Sequence, residues 1–206
     1  MALLHEATLT PTKPEALAAW VPTQPWAPDG GDLELVGAFR FDDPDGLVGL
    51  EVHLVRLDGI LLQVPLTYRG EALEGAEAHL VTTMDHSALG SRWVYDGLRD
   101  PVMTTLLAAA ALTGTGQAVS LVHRDGRTGL VPSAIRLAGG GWNGGPVVVD
   151  GFELVDDAGP VALLRNDGLG LRVARRPEPG PTPAIGLTAT WADQAESVVL
   201  AEVVAS

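Results

Sequence analysis

Apolar residues recur along the chain at strand and helix spacings, and the spacing changes from segment to segment. In residues 33–41, Leu33, Leu35, Gly37, Phe39 and Phe41 fall on every second position, the period of a strand with one buried face. In 48–57, Val48, Leu50, Val52 and Leu54 alternate with Gly49, Glu51 and His53. Asp58-Gly59 then gives the strongest short hairpin signal in the chain. Residues 60–68 are apolar enough for a central strand, although Pro65 inside them argues for an edge position or a bulge. Residues 2–8 predict a short strand, and 80–83 and 92–95 predict two more around the Asp85-His86-Ser87 turn.

Two helices are expected. Thr12 is placed to cap the first, with Pro14 in its first turn and Glu15 at the positive end of the dipole. It runs to about Trp20, where Pro22, Pro25 and Pro28 prevent continuation. The second opens at Asp100-Pro101 and runs to about Thr113, ended by Gly114-Thr115-Gly116. From Ala118 onward the pattern predicts strands only, at 118–123, 127–137, 147–155, 161–166, 169–174, 185–191 and 198–204. Asp125-Gly126, Asp157-Ala158-Gly159 and Asn166-Asp167-Gly168 supply turns. Residues 176–183, with four prolines, predict an extended surface connection. The expected fold class is α+β: a curved, mainly antiparallel sheet with two helices, followed by a β-rich C-terminal half. The natural boundary falls near residue 116, giving units 1–116 and 117–206, or one continuous sheet with a seam there.

Composition narrows the functions open to such a fold. The 206 residues include no cysteine and a single lysine, Lys13. Disulfides, Cys-ligated metal sites and thiol nucleophiles are thereby excluded. One lysine and a net charge of −13 argue against a nucleic-acid surface and against anionic membranes. The longest apolar run, 106–112, is far below the ~20 residues of a membrane span. The N-terminus lacks a basic region followed by an apolar one, so a cytoplasmic protein is expected. Charge is uneven: residues 1–116 carry −10 and residues 117–206 carry −3. If a charged partner exists, the first half is the expected docking surface.

Candidate chemistry is sparse. Asp85-His86-Ser87 has the letters of a triad, but neighbouring side chains on such a segment point apart, and both Asp85 and Ser87 suit local turn capping. The run 139–145 is rich in glycine, with Trp142 and Asn143 inside it. It lacks the Lys-Ser/Thr of a phosphate loop. Trp142 could stack on a sugar face while Asn143 bonds its hydroxyls, or the loop could be a hairpin whose tryptophan packs back on the sheet. Asp42, Asp43 and Asp45 precede Gly46, but aligning that glycine on a calcium loop puts Phe41 and Val52 at ligand positions. No cofactor or metal is implied.

Three strings carry a family resemblance. Residues 62–69, Leu-Gln-Val-Pro-Leu-Thr-Tyr-Arg, resemble the "QVPLxYR" strand in the N-terminal cap of actinobacterial maltokinases. Residues 95–101, Tyr-Asp-Gly-Leu-Arg-Asp-Pro, are similar to that cap's "YDAxxDP", where a strand passes into a helix. Residues 19–26, Ala-Trp-Val-Pro-Thr-Gln-Pro-Trp, resemble its "WLPxQRWF", with Pro25 in place of the arginine. The three cover roughly residues 1–115 in matching order, and the whole chain resembles stand-alone actinobacterial cap-like proteins. The kinase's HxD…N loop, DFG-type aspartate and phosphate-holding lysine have no counterpart here. The resemblance implies a non-catalytic protein that binds or regulates an enzyme of trehalose, maltose or glucan metabolism, glycogen included, or binds a saccharide itself. Two other readings stay open. One is a small enzyme on a sugar or sugar phosphate, with Asp85, His86, Arg92 and Asp96 converging in a cleft. The other is a structural subunit that dimerises through a sheet edge.

Overall fold

The computed structural model describes residues 2–4, 8–114, 116–124, 127–141 and 149–205. Trp142, Asn143 and the Asp125-Gly126 turn lie outside the described residues. In chain order the elements are β1 (Ala2–Leu4), β2 (Leu9–Thr10), α1 (Lys13–Trp20), β3 (Leu33–Phe41), β4 (Val48–Leu57), β5 (Ile60–Arg69), β6 (Leu80–His86), β7 (Gly90–Asp96) and α2 (Pro101–Thr113). There follow β8 (Ser120–Arg124), β9 (Arg127–Val131), β10 (Arg136–Gly139), β11 (Glu153–Asp156), β12 (Val161–Arg165), β13 (Leu169–Ala174), β14 (Gly186–Trp191) and β15 (Gln194–Ala205). The fold is α+β and mostly β, with both helices in the first half.

Two six-stranded antiparallel sheets dominate. The first has the order β2-β6-β7-β5-β4-β3 and the second β10-β14-β15-β13-β12-β11. A third sheet, β1-β8-β9, pairs the N-terminal strand in parallel with β8. The Asp58-Gly59 hairpin forms as expected, with positive φ at both residues (49° and 75°). Strand β5 is an inner strand, not an edge strand, despite Pro65. Its pairing with β7 covers only Leu66–Arg69, so Pro65 sits just past the end of that ladder. There a missing N–H leaves no ladder bond unmade.

Strand β4 shows how the layers stack. Val48, Leu50, Val52 and Leu54 face one apolar cluster, shared with α2 and with Leu164, Leu171, Val173 and Leu200 of the second sheet. Val55 and Leu57 face a second cluster, closed by Ala16, Leu17, Val21 and Trp26 from α1 and the turn after it. The first sheet is therefore covered on both faces, and Glu51 and His53, polar positions in the alternation, are buried. Helix α1 is held by a capping box: the Glu15 carboxylate accepts from the Thr12 N–H at 2.8 Å, and Thr12 Oγ1 accepts from Glu15 N–H. That bonding lowers the Glu15 pKa.

Helix α2 starts at Asp100, whose carboxylate accepts from Val102 N–H at 3.1 Å, and ends at Gly114 in the left-handed region. Residues 139–141 pass over its C-terminal end. A Cβ on Gly139 would lie 2.9 Å from the carbonyl oxygen of Ala110, and one on Gly141 would overlap that of Ala111. These glycines permit close backbone approach, which is why this part of the run is glycine. Residues 176–183 are extended but not a free surface connection. They lie along β15, with Gly180 N–H donating to Ser197 O and Val199 N–H to Glu178 O. The predicted strand 127–137 is broken at 132–135, where Pro132 ends β9 before β10 begins.

Candidate functional site

The conspicuous strings of the first half meet where the two large sheets join. Arg69, ending the 62–69 string, forks onto Asp100 with Nε and Nη2 at 2.6 and 2.7 Å. Asp100 is thus both the cap of α2 and the anchor of β5. Its carboxylate raises the pKa of Arg69. Asp96, ending β7, accepts from Arg175 Nη2 at 2.5 Å. Arg175 follows β13 and is fully buried. It also forks onto Asp157, with Nε and Nη2 at 2.8 and 2.7 Å. Its guanidinium lies 4.7 Å from the Trp26 ring centroid, a cation–π distance. Burial alone would lower the Arg175 pKa, but the Asp96 and Asp157 carboxylates drive it up. Arg176 Nε donates to the Trp26 carbonyl at 2.7 Å, and Trp20 meets Trp26 edge-on at 5.9 Å. Gln63 N–H donates to Arg175 O at 2.9 Å.

Two cavities open beside this joint, and both are lined by His79 and Arg99. One, of about 370 Å³, has Leu98, Pro101, Phe152 and Leu154 as apolar wall. The other, of about 380 Å³, is walled by Trp20 and Pro25 and carries Gln24, Asp96, Asp156 and Asp157. Behind them, Arg175 Nη1 and Trp26 Nε1 are buried without a hydrogen-bond partner among the described residues. A third cavity, about 630 Å³ and mainly apolar, lies between α2 and Val119, Leu121 and Leu130.

A separate charged cluster lies under α1. Lys13 Nζ bonds Glu51 Oε2 and sits 5.3 Å from the Tyr68 ring centroid. His53 Nε2 is 3.4 Å from the same carboxylate and 3.2 Å from the Tyr68 hydroxyl. Burial alone would raise the Glu51 pKa. The His53 hydrogen bond and the charges of His53, Lys13 and Arg40 overcome that and hold it well below the usual carboxylate range. Burial, reinforced by the Glu51 charge, pushes Tyr68 well above its ordinary value. This cluster lies in the layer between α1 and the sheet and fixes the helix there.

Of the residues marked in the sequence, one lines the cleft. Asp96 belongs to it. Asp85 is exposed at the β6–β7 hairpin, accepting from Ser91 Oγ at 3.0 Å. His86 Nδ1 accepts from the N–H groups of Ala88 and Leu89, both at 3.2 Å, and Ser87 Oγ accepts from Thr8 N–H. Arg92 lies over Gly70. Arg92 and Asp96 are four residue steps apart along one strand, about 13 Å, so Asp85, His86, Arg92 and Asp96 do not converge. Trp20, Gln24, Asp96 and Arg99 sit inside the strings 19–26 and 95–101, and that signal could have located the cleft. His79, Asp157 and Arg175 carry no local sequence signal, because long-range contacts alone bring them there. Among the described residues, no group of three His, Asp or Glu side chains is placed to hold a metal ion. Among the same residues, no helix is long and apolar enough to cross a membrane.

No curated protein matches the chain. Residues 20–100 match the family model of the maltokinase N-terminal cap domain. The match begins at Trp20, in the wall of the cleft, takes in β3 to β7, and stops at Asp100, the cap of α2. Over that stretch, the first sheet and its approach to the joint, the chain is similar to the maltokinase N-terminal cap domain.

Proposed function

We propose that this chain is a non-catalytic cap protein that acts as a binding or regulatory partner in maltose, trehalose and glucan metabolism. The similarity of residues 20–100 to the maltokinase cap supports a link to maltose and trehalose metabolism. The single observation that carries the finer reading is the placement of the cap's strings. Their charged ends, Arg69, Asp96 and Asp100, are engaged in fixed ion pairs at the joint with the second half. Groups held in such charge-assisted pairs position a scaffold. The strongly acidic first half is the surface offered to a partner. The alternative of a small enzyme built on Asp85, His86, Arg92 and Asp96 loses its basis, since those groups do not converge.

The test uses the purified full chain as bait in an actinobacterial extract, with captured proteins identified by mass spectrometry. A maltokinase, or another enzyme of trehalose or glucan metabolism, should be recovered. When purified separately, that enzyme should bind the chain and change its kcat or KM on addition. Recovery of none, or no binding on reconstitution, would sink the reading.

A further inference from the structure

We infer that the paired cavities at the joint form one binding groove for a neutral, hydroxyl-rich ligand, a saccharide of two or more rings. The inference deepens the metabolic role proposed above and rests on it for the choice of sugars. The two cavities, about 370 and 380 Å³, share His79 and Arg99 and so adjoin at those residues. Each is at the small end of the size range of small-molecule sites, roughly 300–1,000 Å³. A ligand filling both must be elongated.

The lining has the chemistry that suits a sugar. Trp20, half-buried, walls one cavity, and Leu98, Phe152 and Leu154 wall the other. These surfaces suit the apolar faces of pyranose rings, and the polar groups around them suit the hydroxyls. Arg175 grips Asp96 and Asp157 from behind, so two carboxylates of the wall are fixed before any ligand arrives. Each carboxylate oxygen has two lone pairs, so these held groups remain able to accept from hydroxyls. Groups already held in place lose little further freedom on binding.

Charge selects among ligands. Glu74, Asp96, Asp100, Glu153, Asp156 and Asp157 line the two cavities, while Arg99 is the one arginine among their described lining residues. Arg69 and Arg175 offset two of those carboxylates from behind. The balance stays negative, so a phosphate or other anion is disfavoured and a neutral polyol is not.

Titration calorimetry of the full chain with maltotriose, trehalose and maltose 1-phosphate tests this, with tryptophan fluorescence as a second readout of Trp20. Maltotriose should bind. Its affinity should fall by roughly tenfold or more in Arg99→Ala and in Asp156→Ala. Both residues are exposed, and both variants should keep the parent's circular dichroism. Asp85→Asn, far along β6, should bind as the parent does. Maltose 1-phosphate should bind more weakly than maltotriose. No binding of either neutral sugar, equal loss in Asp85→Asn, or tighter binding of the phosphate would each overturn the inference. Recovery of a sugar-metabolism enzyme with no saccharide bound would overturn the groove and leave the partner reading standing. A saccharide in the groove with no enzyme recovered would do the reverse.

Discussion

Replacing Arg175 by methionine tests the joint directly. The side chain is wholly buried and makes three charge-assisted hydrogen bonds of 2.5 to 2.8 Å to Asp96 and Asp157. Methionine keeps much of the volume against Trp26 but removes the one cation that bonds these carboxylates among the described residues. Their side chains are 7% and 11% exposed, so both charges would be stranded out of water. Breaking a buried ion pair by deleting one partner costs about 3–5 kcal/mol. With a urea m-value of about 2 kcal/mol/M, a loss of about 4 kcal/mol moves the unfolding midpoint down by about 2 M. Urea titration followed by tryptophan fluorescence at neutral pH reads this shift. The triple variant Arg175→Met, Asp96→Asn, Asp157→Asn should recover at least half of it, because no charge is left unpaired. A single-variant cost below about 1 kcal/mol, or a triple variant no more stable than the single, would refute the account of the joint.

Three further expectations follow from other parts of the molecule. The Glu51 carboxyl has a folded pKa held below its ordinary 4.5, so its contribution to stability is present above that value and is lost as pH falls beneath it. Glu51→Gln should flatten this acid limb in a pH series of denaturation midpoints, and an unchanged limb would count against the Lys13–Glu51–His53 cluster. Gly141→Ala would drive a methyl group into the Ala111 carbonyl and to 2.6 Å from that of Leu112. A cost of about 3 kcal/mol, seen as a fall in Tm of roughly 6–12 °C, is expected, and a fall below about 2 °C would show that the approach relaxes freely. Residues 1–116 expressed alone would expose Val48, Leu50, Val52 and Leu54 where the second sheet now covers them. Such a fragment should aggregate or bind a hydrophobic dye, and cooperative unfolding of a soluble monomer would contradict the shared core.

The helices were legible because their ends are written locally. Thr12 with Glu15, and Asp100 with Pro101 and Gly114, specify start and stop within a few residues. The β3–β4–β5 meander was legible for the same reason, since period-two runs and Asp58-Gly59 leave little choice of register. What was hidden depends on the covering layers. Glu51 and His53 alternate as solvent-facing positions should, and only the docking of α1 buries them. Arg175 immediately precedes the proline-rich stretch 176–183, which looks like surface. Its burial requires Asp96 and Asp157, which lie 79 and 18 residues away in the chain. The cleft was half legible: Trp20, Gln24, Asp96 and Arg99 stand inside strings singled out for their resemblance, while the other wall comes from residues 152–158, which form an irregular edge of the second sheet. The triad letters at Asp85-His86-Ser87 misdirect because a turn uses the same residue types to cap its own amides.

The placement of Lys13 gives the molecule an internal reporter. It is the only side-chain amine in 206 residues, and it is occupied by a buried carboxylate at the foot of α1. An amine-selective reagent therefore reads one lysine position and no other. While the helix is docked, the bond to the Glu51 carboxylate engages that amine and hinders its attack on a reagent. When the helix lifts, it reacts as any exposed lysine does. The rate of acylation at this one atom, followed by mass, would time the opening of the helix–sheet layer in the native protein without an introduced label.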